Sequence, residues 1–148
     1  MQQKSLDIMQ RLGVKFGTAA IYINIGNIHS KLGNDEQMLE MYRKAMEISL
    51  AIGDEPRLAQ VYNNLAIEYR NMGDIGQALS FYRKSLEISE RIGDQHNTAR
   101  VYFNLGLLYH EQGDYKQARI HFEKAKALFE MVGDTQWAQR VAQALQRL

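Results

Sequence analysis

The chain has 148 residues, about one ordinary domain, and its 18 Lys and Arg nearly balance its 17 Asp and Glu. The resulting net charge of +1 argues against general attraction to nucleic acids or membranes, which requires a clear excess of basic residues. The absence of Cys excludes a disulfide framework and a thiolate site. No stretch approaches the roughly 18 apolar residues of a membrane span, and the N-terminal segment lacks the apolar run of a secretory signal. These features favour a cytoplasmic protein.

The sequence returns to the same pattern at an interval of 40 residues. The segment KSLDIMQRLG at 4–13 aligns with KAMEISLAIG at 44–53 and with KSLEISERIG at 84–93. A single Pro and abundant Ala, Leu, Glu, Lys and Arg favour helix in these segments. We therefore predict that residues 1–13 form a half repeat, which is the second helix, helix B, of a two-helix unit.

Helix A of the next unit follows. Residues 20–34, 60–74 and 100–114 align at the same interval, and their apolar residues recur three and four positions apart, as on one face of a helix. The aligned positions of this face hold Ala19, Ala59 and Ala99, then Tyr22, Tyr62 and Tyr102, then Ile25, Leu65 and Leu105, and then the small Gly26, Ala66 and Gly106. We predict that this face is buried and that the small position lets neighbouring helices approach closely.

Each predicted helix ends at a Gly, which adopts the left-handed C-terminal conformation without a steric penalty. The residue after the Gly is Asp or Asn, which caps the next helix, and a Gln three residues after Asn34, Asp74 and Asp114 resembles a capping box. The turns are predicted at Gly33, Gly53, Gly73, Gly93, Gly113 and Gly133. The Asp residues at these turns are therefore interpreted as structural caps and not as catalytic groups.

The last predicted element is a terminal capping helix at 135–148. Complete pairs are predicted at 18–53, 54–93 and 94–133, so that one all-α solenoid domain of about seven helices and no strand covers residues 1–148. A half repeat at each end leaves an apolar face without its partner helix. We expect weak self-association that buries Leu6 and Ile8, or Trp137 and Val141.

The aligned residues resemble the tetratricopeptide repeat over essentially the whole chain. The family's helix A carries an aromatic residue, Leu-Gly and Tyr, and its helix B carries Ala, an aromatic residue and Ala. The matching residues of the third repeat are Tyr102, Leu105, Gly106, Tyr109, Ala118, Phe122 and Ala125. The 40-residue repeat is similar to those of kinesin light chains, Pins-type polarity adaptors and bacterial peptide-responsive regulators. The resemblance implies a right-handed superhelix with helices A on its concave side.

The sequence contains no recognisable catalytic motif. The four His show no metal-ligand spacing, and every Gly of the turns is accounted for by a helix end, which leaves no Gly-rich phosphate loop. We expect neither an enzyme nor a bound cofactor or metal, and instead a protein–protein interaction module. A self-assembling structural solenoid and a regulatory or sensor region of a larger protein are the alternatives.

The candidate binding surface is the inner face of helices A, placed at 100° per residue. Its predicted members are Asn27, Arg57, Gln60, Asn64, Arg100, Asn104 and Leu107. Asn24, Asn64 and Asn104 share one register, although Asn costs several tenths of a kcal/mol inside a helix. Their amides either pair with the backbone of a ligand peptide or bridge adjacent helices. Arg57 and Arg100, together with the apolar Ile67 and Leu107, favour a peptide with acidic and apolar side chains.

The resemblance also implies a comparison with the clamp that some tetratricopeptide domains use for a C-terminal carboxylate. That clamp takes Lys and Asn from one helix A, Asn from the next, and Lys and Arg from the third. The matching positions hold Ile23 and Asn27, Asn64, and Arg100 and Asn104. Because Ile and Asn replace one Lys and the Arg, an internal peptide segment or a helix is expected in preference to a free C-terminus.

Overall fold

The computed structural model describes residues 2–148, and all of their side chains except those of residues 2–6, 9, 12 and 16. Seven α-helices and no strand are found within residues 2–148, which confirms the predicted fold class. The helices are α1 (Gln2–Leu32), α2 (Asp35–Ile52), α3 (Glu55–Asn71), α4 (Ile75–Ile92), α5 (Gln95–Glu111), α6 (Tyr115–Met131) and α7 (Thr135–Gln146).

The turns between helices confirm the predicted stop and start signals. Each of the six predicted turn glycines has a positive φ, between 71° and 84°. At the Gly53 turn, the backbone N–H of Asp54 donates to the Ser49 carbonyl over 2.9 Å and so closes α2. The Asp54 carboxylate then accepts the backbone N–H of Arg57 over 3.2 Å and so caps α3. One Gly-Asp pair thus ends one helix and begins the next.

The same carboxylate cap begins the later helices, whereas the first turn is different. The capping residues of α4 to α7 are Asp74, Asp94, Asp114 and Asp134. The side chain of Asn34 makes no cap hydrogen bond, and its Nδ2 lies 3.2 Å from Nδ1 of His29. In a capping box, the Gln side chain would also accept the backbone N–H of the capping residue. Here the Asp74 N–H donates to the carbonyl of Tyr69 instead.

The structure has no helix end at the first predicted boundary, near residue 13. α1 runs without interruption through Gly13 and Gly17, so residues 1–13 do not form a separate half-repeat helix within the described part of the chain. Gly13 has no positive φ, and Val14 stands where Asp follows the glycine at the other turns from helix B to helix A. Val offers no side-chain acceptor to cap a new helix, so the helix continues. The hydroxyl of Thr18 donates to the Val14 carbonyl over 2.7 Å within this stretch.

Successive helices pack against each other along the chain, and α3 also contacts α5. The odd-numbered helices therefore form the inner layer, in the position that was predicted for helices A. The small positions allow close contact: a Cβ on Gly26 would lie 2.6 Å from Cε1 of Tyr42, and one on Gly106 would lie 2.5 Å from Cδ1 of Phe122. Both glycines are required by the aromatic ring that packs on them.

The three junctions between a helix B and the following helix A are packed by different chemistry. At the α4–α5 junction, Asn97 donates hydrogen bonds to Ser85 and Ser89. The Ser85 hydroxyl in turn donates to the Ala59 carbonyl of α3 over 2.7 Å. At the α6–α7 junction, the rings of Phe129 and Trp137 stack with centroids 5.2 Å apart.

Ser49 and Arg57 occupy the equivalent positions at the α2–α3 junction. The junctions are equivalent in position but distinct in the groups that fill them.

The first and last helices differ in how far their apolar side chains are exposed. Val141 of α7 is fully buried and Trp137 is half-buried, so the apolar face expected to be open on the last helix is covered by its own chain. The outer side of α7 is polar, with exposed Gln139, Gln143 and Gln146. At the other end Ile8 is 57% exposed, and the side chain of Leu6 lies outside the described residues.

Candidate functional site

Side chains from two successive inner helices converge on one cavity of about 410 Å³ near the N-terminal ends of α3 and α5. The residues that line it are Asp54, Pro56, Arg57, Gln60, Asp94, His96, Asn97 and Arg100. Three of the residues that were predicted from the sequence, Arg57, Gln60 and Arg100, thus lie together. The caps Asp54 and Asp94 belong to the same wall because they start the two helices.

The guanidinium of Arg57 is held at the cavity but is not fully paired. Its Nε lies 3.9 Å from Oδ2 of Asp54, beyond hydrogen-bond range, and its Nη1 donates to Oε1 of Gln60 over 3.5 Å. The buried Nε has no hydrogen-bond partner among the described residues. A buried N–H without a partner is costly, and Nε lacks the hydrogen bond that would offset this cost.

His96 lines the cavity and contacts Asp134, the capping residue of α7. Nε2 of His96 lies 3.0 Å from Oδ2 of Asp134. The hydrogen bond from His96 lowers the pKa of Asp134, and the backbone N–H of Trp137 acts in the same direction. Arg140 lies over the Trp137 ring, 4.5 Å from its centroid. The sequence analysis missed His96 and Arg140, although Arg140 stands 40 residues after Arg100 and shares its register.

The three asparagines of the predicted site have different surroundings. Asn104 donates through Nδ2 to Oδ1 of Asn63 over 3.1 Å, so it bridges α5 and α3. Asn27 accepts the hydroxyl of Tyr42 over 2.5 Å, within the first helix pair. Asn64 is half-buried, and no hydrogen bond to its side chain is found among the described residues. Bridging is therefore the observed role of Asn104, whereas the amide of Asn64 remains open.

A second polar group lies towards the C-terminal ends of the inner helices. The Ser30 hydroxyl donates to Oε1 of Glu68 over 2.5 Å. Nε of Arg70 lies 3.8 Å from Oε2 of Glu111. Burial, assisted by the charge of Glu68, raises the pKa of Tyr42 to about 12. These contacts tie α1, α3 and α5 together and so fix the width of the inner face.

Tyr82 lies in the register of Tyr42, but its hydroxyl is buried without a hydrogen-bond partner among the described residues. Ile67 occupies the position that Asn27 holds in the first pair, 40 residues earlier, and it offers no acceptor. Burial raises the pKa of Tyr82 to about 12, while Arg70 acts in the opposite direction.

The apolar members of the predicted surface are half-buried. Leu107 packs against the cluster of α5, α6 and α7, and Ile67 packs against the cluster of α3, α4 and α5. Ile23, at the first position of the clamp comparison, is 2% exposed and belongs to the core. It cannot reach a ligand in the groove.

The sequence model of the tetratricopeptide repeat matches the chain twice, over residues 17–91 and residues 57–131. The chain belongs to the tetratricopeptide repeat family. Tetratricopeptide repeats are an interaction fold and generally mediate contacts between proteins. No protein with a curated description matches the sequence.

Many solved structures have a similar fold, and three of them follow. The structure of BtubC (BKLC) from P. vanneervenii has a TM-score of 0.66 and 24% identity, over 87% of this chain and 62% of that one. The N-terminal domain of stress-induced protein-1 (STI-1) from C. elegans has a TM-score of 0.66 and 22% identity, over 87% and 95%. A signal transduction ATPase with numerous domains and a tetratricopeptide repeat sensor, from Pyrococcus horikoshii, has a TM-score of 0.78 and 22% identity, over 94% and 22%.

The tetratricopeptide repeat chain thus spans less than two thirds of BtubC and under a quarter of the ATPase. Within the described residues, no helix has the length and apolar character needed to cross a membrane. The described part of the chain also lacks a group of three or more His, Asp or Glu side chains that could hold a metal ion. The described residues of the inner face offer hydrogen-bonding groups, charged groups and apolar side chains.

Proposed function

We propose that this tetratricopeptide repeat chain is an adaptor module that binds a peptide segment or a helix of a partner protein along its inner face. The observation that carries the proposal is the cavity between α3 and α5, where Arg57, Gln60 and Arg100 converge. The Arg57 guanidinium is only loosely paired with Asp54, and its Nε has no hydrogen-bond partner among the described residues. A ligand that supplies an acceptor would therefore stabilise this side chain.

The ligand that fits this surface carries acidic and apolar side chains. A carboxylate would accept hydrogen bonds from Arg57 and Arg100, and such charge-assisted bonds are about twice as strong as neutral ones. Beyond the cavity, Ile67 and Leu107 supply half-buried apolar contacts for an aliphatic side chain. The open amide of Asn64 lies between these two regions in the register of α3 and is placed to pair with the ligand backbone.

The amides of Asn27 and Asn104 support the groove in a different way. Because each already has a partner inside the chain, we assign them to holding the inner helices in position. Direct contact with the ligand is proposed for Arg57, Gln60, Asn64, Arg100 and Leu107. We further propose a cytoplasmic module that binds neither nucleic acid nor membrane, in keeping with its net charge of +1.

The test is binding to an array of synthetic peptides in which Asp or Glu alternates with Leu or Ile, with arrays carrying Lys or Gln at the acidic positions for comparison. The variant is Arg57→Gln with Arg100→Gln. The matched control is Arg83→Gln with Arg119→Gln, since both of these arginines are exposed on even-numbered helices. The groove variant is expected to lose about tenfold or more in affinity for acidic peptides, while the control binds like the parent.

Circular dichroism of the variants separates loss of binding from loss of folding. Equal affinity of the groove variant and the parent, or equal binding of the acidic and Lys-containing arrays, would contradict the adaptor proposal.

A second candidate function is self-assembly into a structural solenoid. It is favoured by large apolar side chains exposed on one helix: Val14, Ile21, Ile28 and Leu32 of α1 are 68%, 57%, 56% and 67% exposed. Apolar side chains aligned in this way on a helix favour association. The adaptor proposal uses the cavity between α3 and α5, and the self-assembly proposal uses exposed residues of α1, so one chain can perform both functions.

A further inference from the structure

The capping aspartates of α5 and α7 differ in what their second carboxylate oxygen contacts. Oδ1 of Asp94 accepts the backbone N–H of Asn97 over 3.1 Å. Oδ1 of Asp134 accepts that of Trp137 over the same distance. Oδ2 of Asp134 lies 3.0 Å from Nε2 of His96, whereas no hydrogen bond or ion pair of Asp94 Oδ2 is found among the described residues. One cap therefore has a partner on the neighbouring inner helix, and the other does not.

The 40-residue register accounts for this difference. His96 of α5 stands 38 residues before Asp134. The residue that stands in the same relation to Asp94 is Pro56 of α3. Pro has an aliphatic ring without an N–H or O–H donor, so α3 offers no donor to Asp94 from this position. Pro56 and Asp94 instead line the cavity between α3 and α5.

The contact between α5 and α7 shows which chemistry suits the open position. The hydrogen bond from His96 lowers the pKa of Asp134, so a donor placed here favours the charged carboxylate. By register, a donor inside the cavity would meet Asp94 where the imidazole of His96 meets Asp134. A cationic donor suits this position better than a neutral one, because hydrogen bonds between two charged groups are stronger.

The charges that line the cavity are balanced in number. Arg57 and Arg100 supply two positive charges, and two capping aspartates supply two negative ones. Asp54 lies 3.9 Å from Nε of Arg57, whereas no ion pair of Arg100 or Asp94 is found among the described residues. A ligand with acidic groups alone would pair with Arg100 but would bring its negative charge towards Asp94. A ligand with one acidic and one basic group pairs with both.

We propose that the cavity between α3 and α5 binds a basic side chain of the partner peptide at Asp94, beside an acidic side chain at Arg100. This inference rests on the adaptor function proposed above and names a second charged residue in its ligand. Six residues separate Asp94 from Arg100, about 9 Å along the helix axis, so the two ligand groups occupy separate places. The partner segment thus carries a basic and an acidic residue close together and is not uniformly acidic.

The probes are pairs of synthetic peptides in which Asp alternates with Leu and every Asp is kept. The two members of a pair are identical, except that one Leu is replaced by Lys in the first and by Gln in the second. The replaced Leu is moved along the peptide from pair to pair, and calorimetry measures each dissociation constant. In the best pair, the Lys peptide is expected to bind the parent chain about three to ten times more tightly than the Gln peptide.

Asp94→Asn removes the charge and keeps the helix cap, since Asn caps a helix as well as Asp does. This variant is expected to lose the preference for Lys and to bind the Gln peptide at least as tightly as the parent. Asp74→Asn is the matched control, because Asp74 caps α4 in the same way and is exposed outside the cavity. The control is expected to keep the preference. A preference for Lys that persists in Asp94→Asn would overturn the proposal.

Pro56→His tests the register comparison. The new imidazole occupies the position of His96 one repeat earlier, and is expected to donate to Asp94 and so to reduce the preference for Lys. Gln136→His is the control, because Gln136 has the same register on α7 and is exposed outside the cavity. An equal preference for Lys in Pro56→His and in the parent would contradict the assignment of Asp94.

The remaining outcomes separate this inference from the function on which it rests. If the parent binds the peptides but binds the Lys and Gln members of every pair equally, the basic residue is excluded while the adaptor function stands. If the parent binds none of the peptides, both are contradicted. Circular dichroism of Asp94→Asn and Pro56→His separates a changed preference from a loss of folding.

Discussion

The side-chain amide of Asn104 on α5 donates a hydrogen bond to Oδ1 of Asn63 on α3. Asn63 is 2% exposed, so the bond joins two inner helices at a point that water cannot replace easily. Removal of the donor leaves a buried acceptor without a partner, and Asn104→Ala is expected to cost about 1–3 kcal/mol of unfolding free energy.

Asn64→Ala is the matched comparison. Its amide has no such partner and is half-buried, so a change within about 0.5 kcal/mol is expected. Urea denaturation of both variants measures the difference. Equal losses would mean that the two amides are equivalent and that Asn64 is also a bridge between helices.

Tyr42 and Tyr82 occupy the same register, but only Tyr42 has an acceptor for its hydroxyl. Tyr42→Phe is expected to destabilise by about 0.5–1.5 kcal/mol, the net value of one hydrogen bond. Tyr82→Phe removes a buried hydroxyl that has no partner, and is expected to be neutral or stabilising. Thermal unfolding of the two variants shows which is less stable. A larger loss of stability in Tyr82→Phe than in Tyr42→Phe would show that the Tyr82 hydroxyl has a hydrogen-bond partner in solution.

Gly106 lies under the ring of Phe122, with no room for a side chain. Gly106→Ala is expected to destabilise by about 1–3 kcal/mol through overpacking, despite the better helix propensity of Ala. Gly76→Ala is the control, because a Cβ there meets only one atom of Asp74, at 3.9 Å. The control is expected to be neutral or more stable. Equal stability of the two variants in urea would mean that the ring moves aside without cost.

The pH dependence of stability follows from buried tyrosines. Burial is the main cause that raises the pKa of Tyr42, Tyr82 and Tyr102 to about 12, above the value near 10 of an unfolded chain. Their contribution is complete below about pH 10 and is lost as the pH rises through about 12. Ultraviolet titration should detect tyrosinate from these three residues at a higher pH than from exposed tyrosines. In Tyr82→Phe, one fewer tyrosine should ionise at the higher pH. Simultaneous titration of all tyrosines near pH 10 would contradict the burial.

Much of the fold could be predicted because its signals are local. A Gly followed by Asp or Asn marks the end of one helix and the start of the next within a few residues, so six turns could be placed from the sequence. Gly13 shows the limit of that rule: without an Asp after it, the glycine lies inside a continuous helix. A glycine by itself does not end a helix, and Val14 after Gly13 offers no side-chain acceptor that could cap a new one.

The site was predicted in part for a similar reason. The period of a single helix places Arg57 and Gln60 on one face, and the 40-residue repeat places Arg100 beside them. The bond between Asn104 and Asn63 depends on how two packed helices are rotated relative to each other, which the pattern of neither helix determines. The contact of His96 with Asp134, 38 residues away, depends on the same rotation.

Arrays of similar units face a hazard that other folds do not, because a helix can dock against the wrong copy of its partner during folding. In this chain the three B-to-A junctions are filled by Ser49 and Arg57, by Ser89 and Asn97, and by Phe129 and Trp137. A swap would place an indole against a serine hydroxyl, or an amide against a phenyl ring, with buried polar groups left unpaired. Docking of α7 in place of α5 is therefore disfavoured, because Ser85 and Ser89 would lose Asn97 as their hydrogen-bond partner.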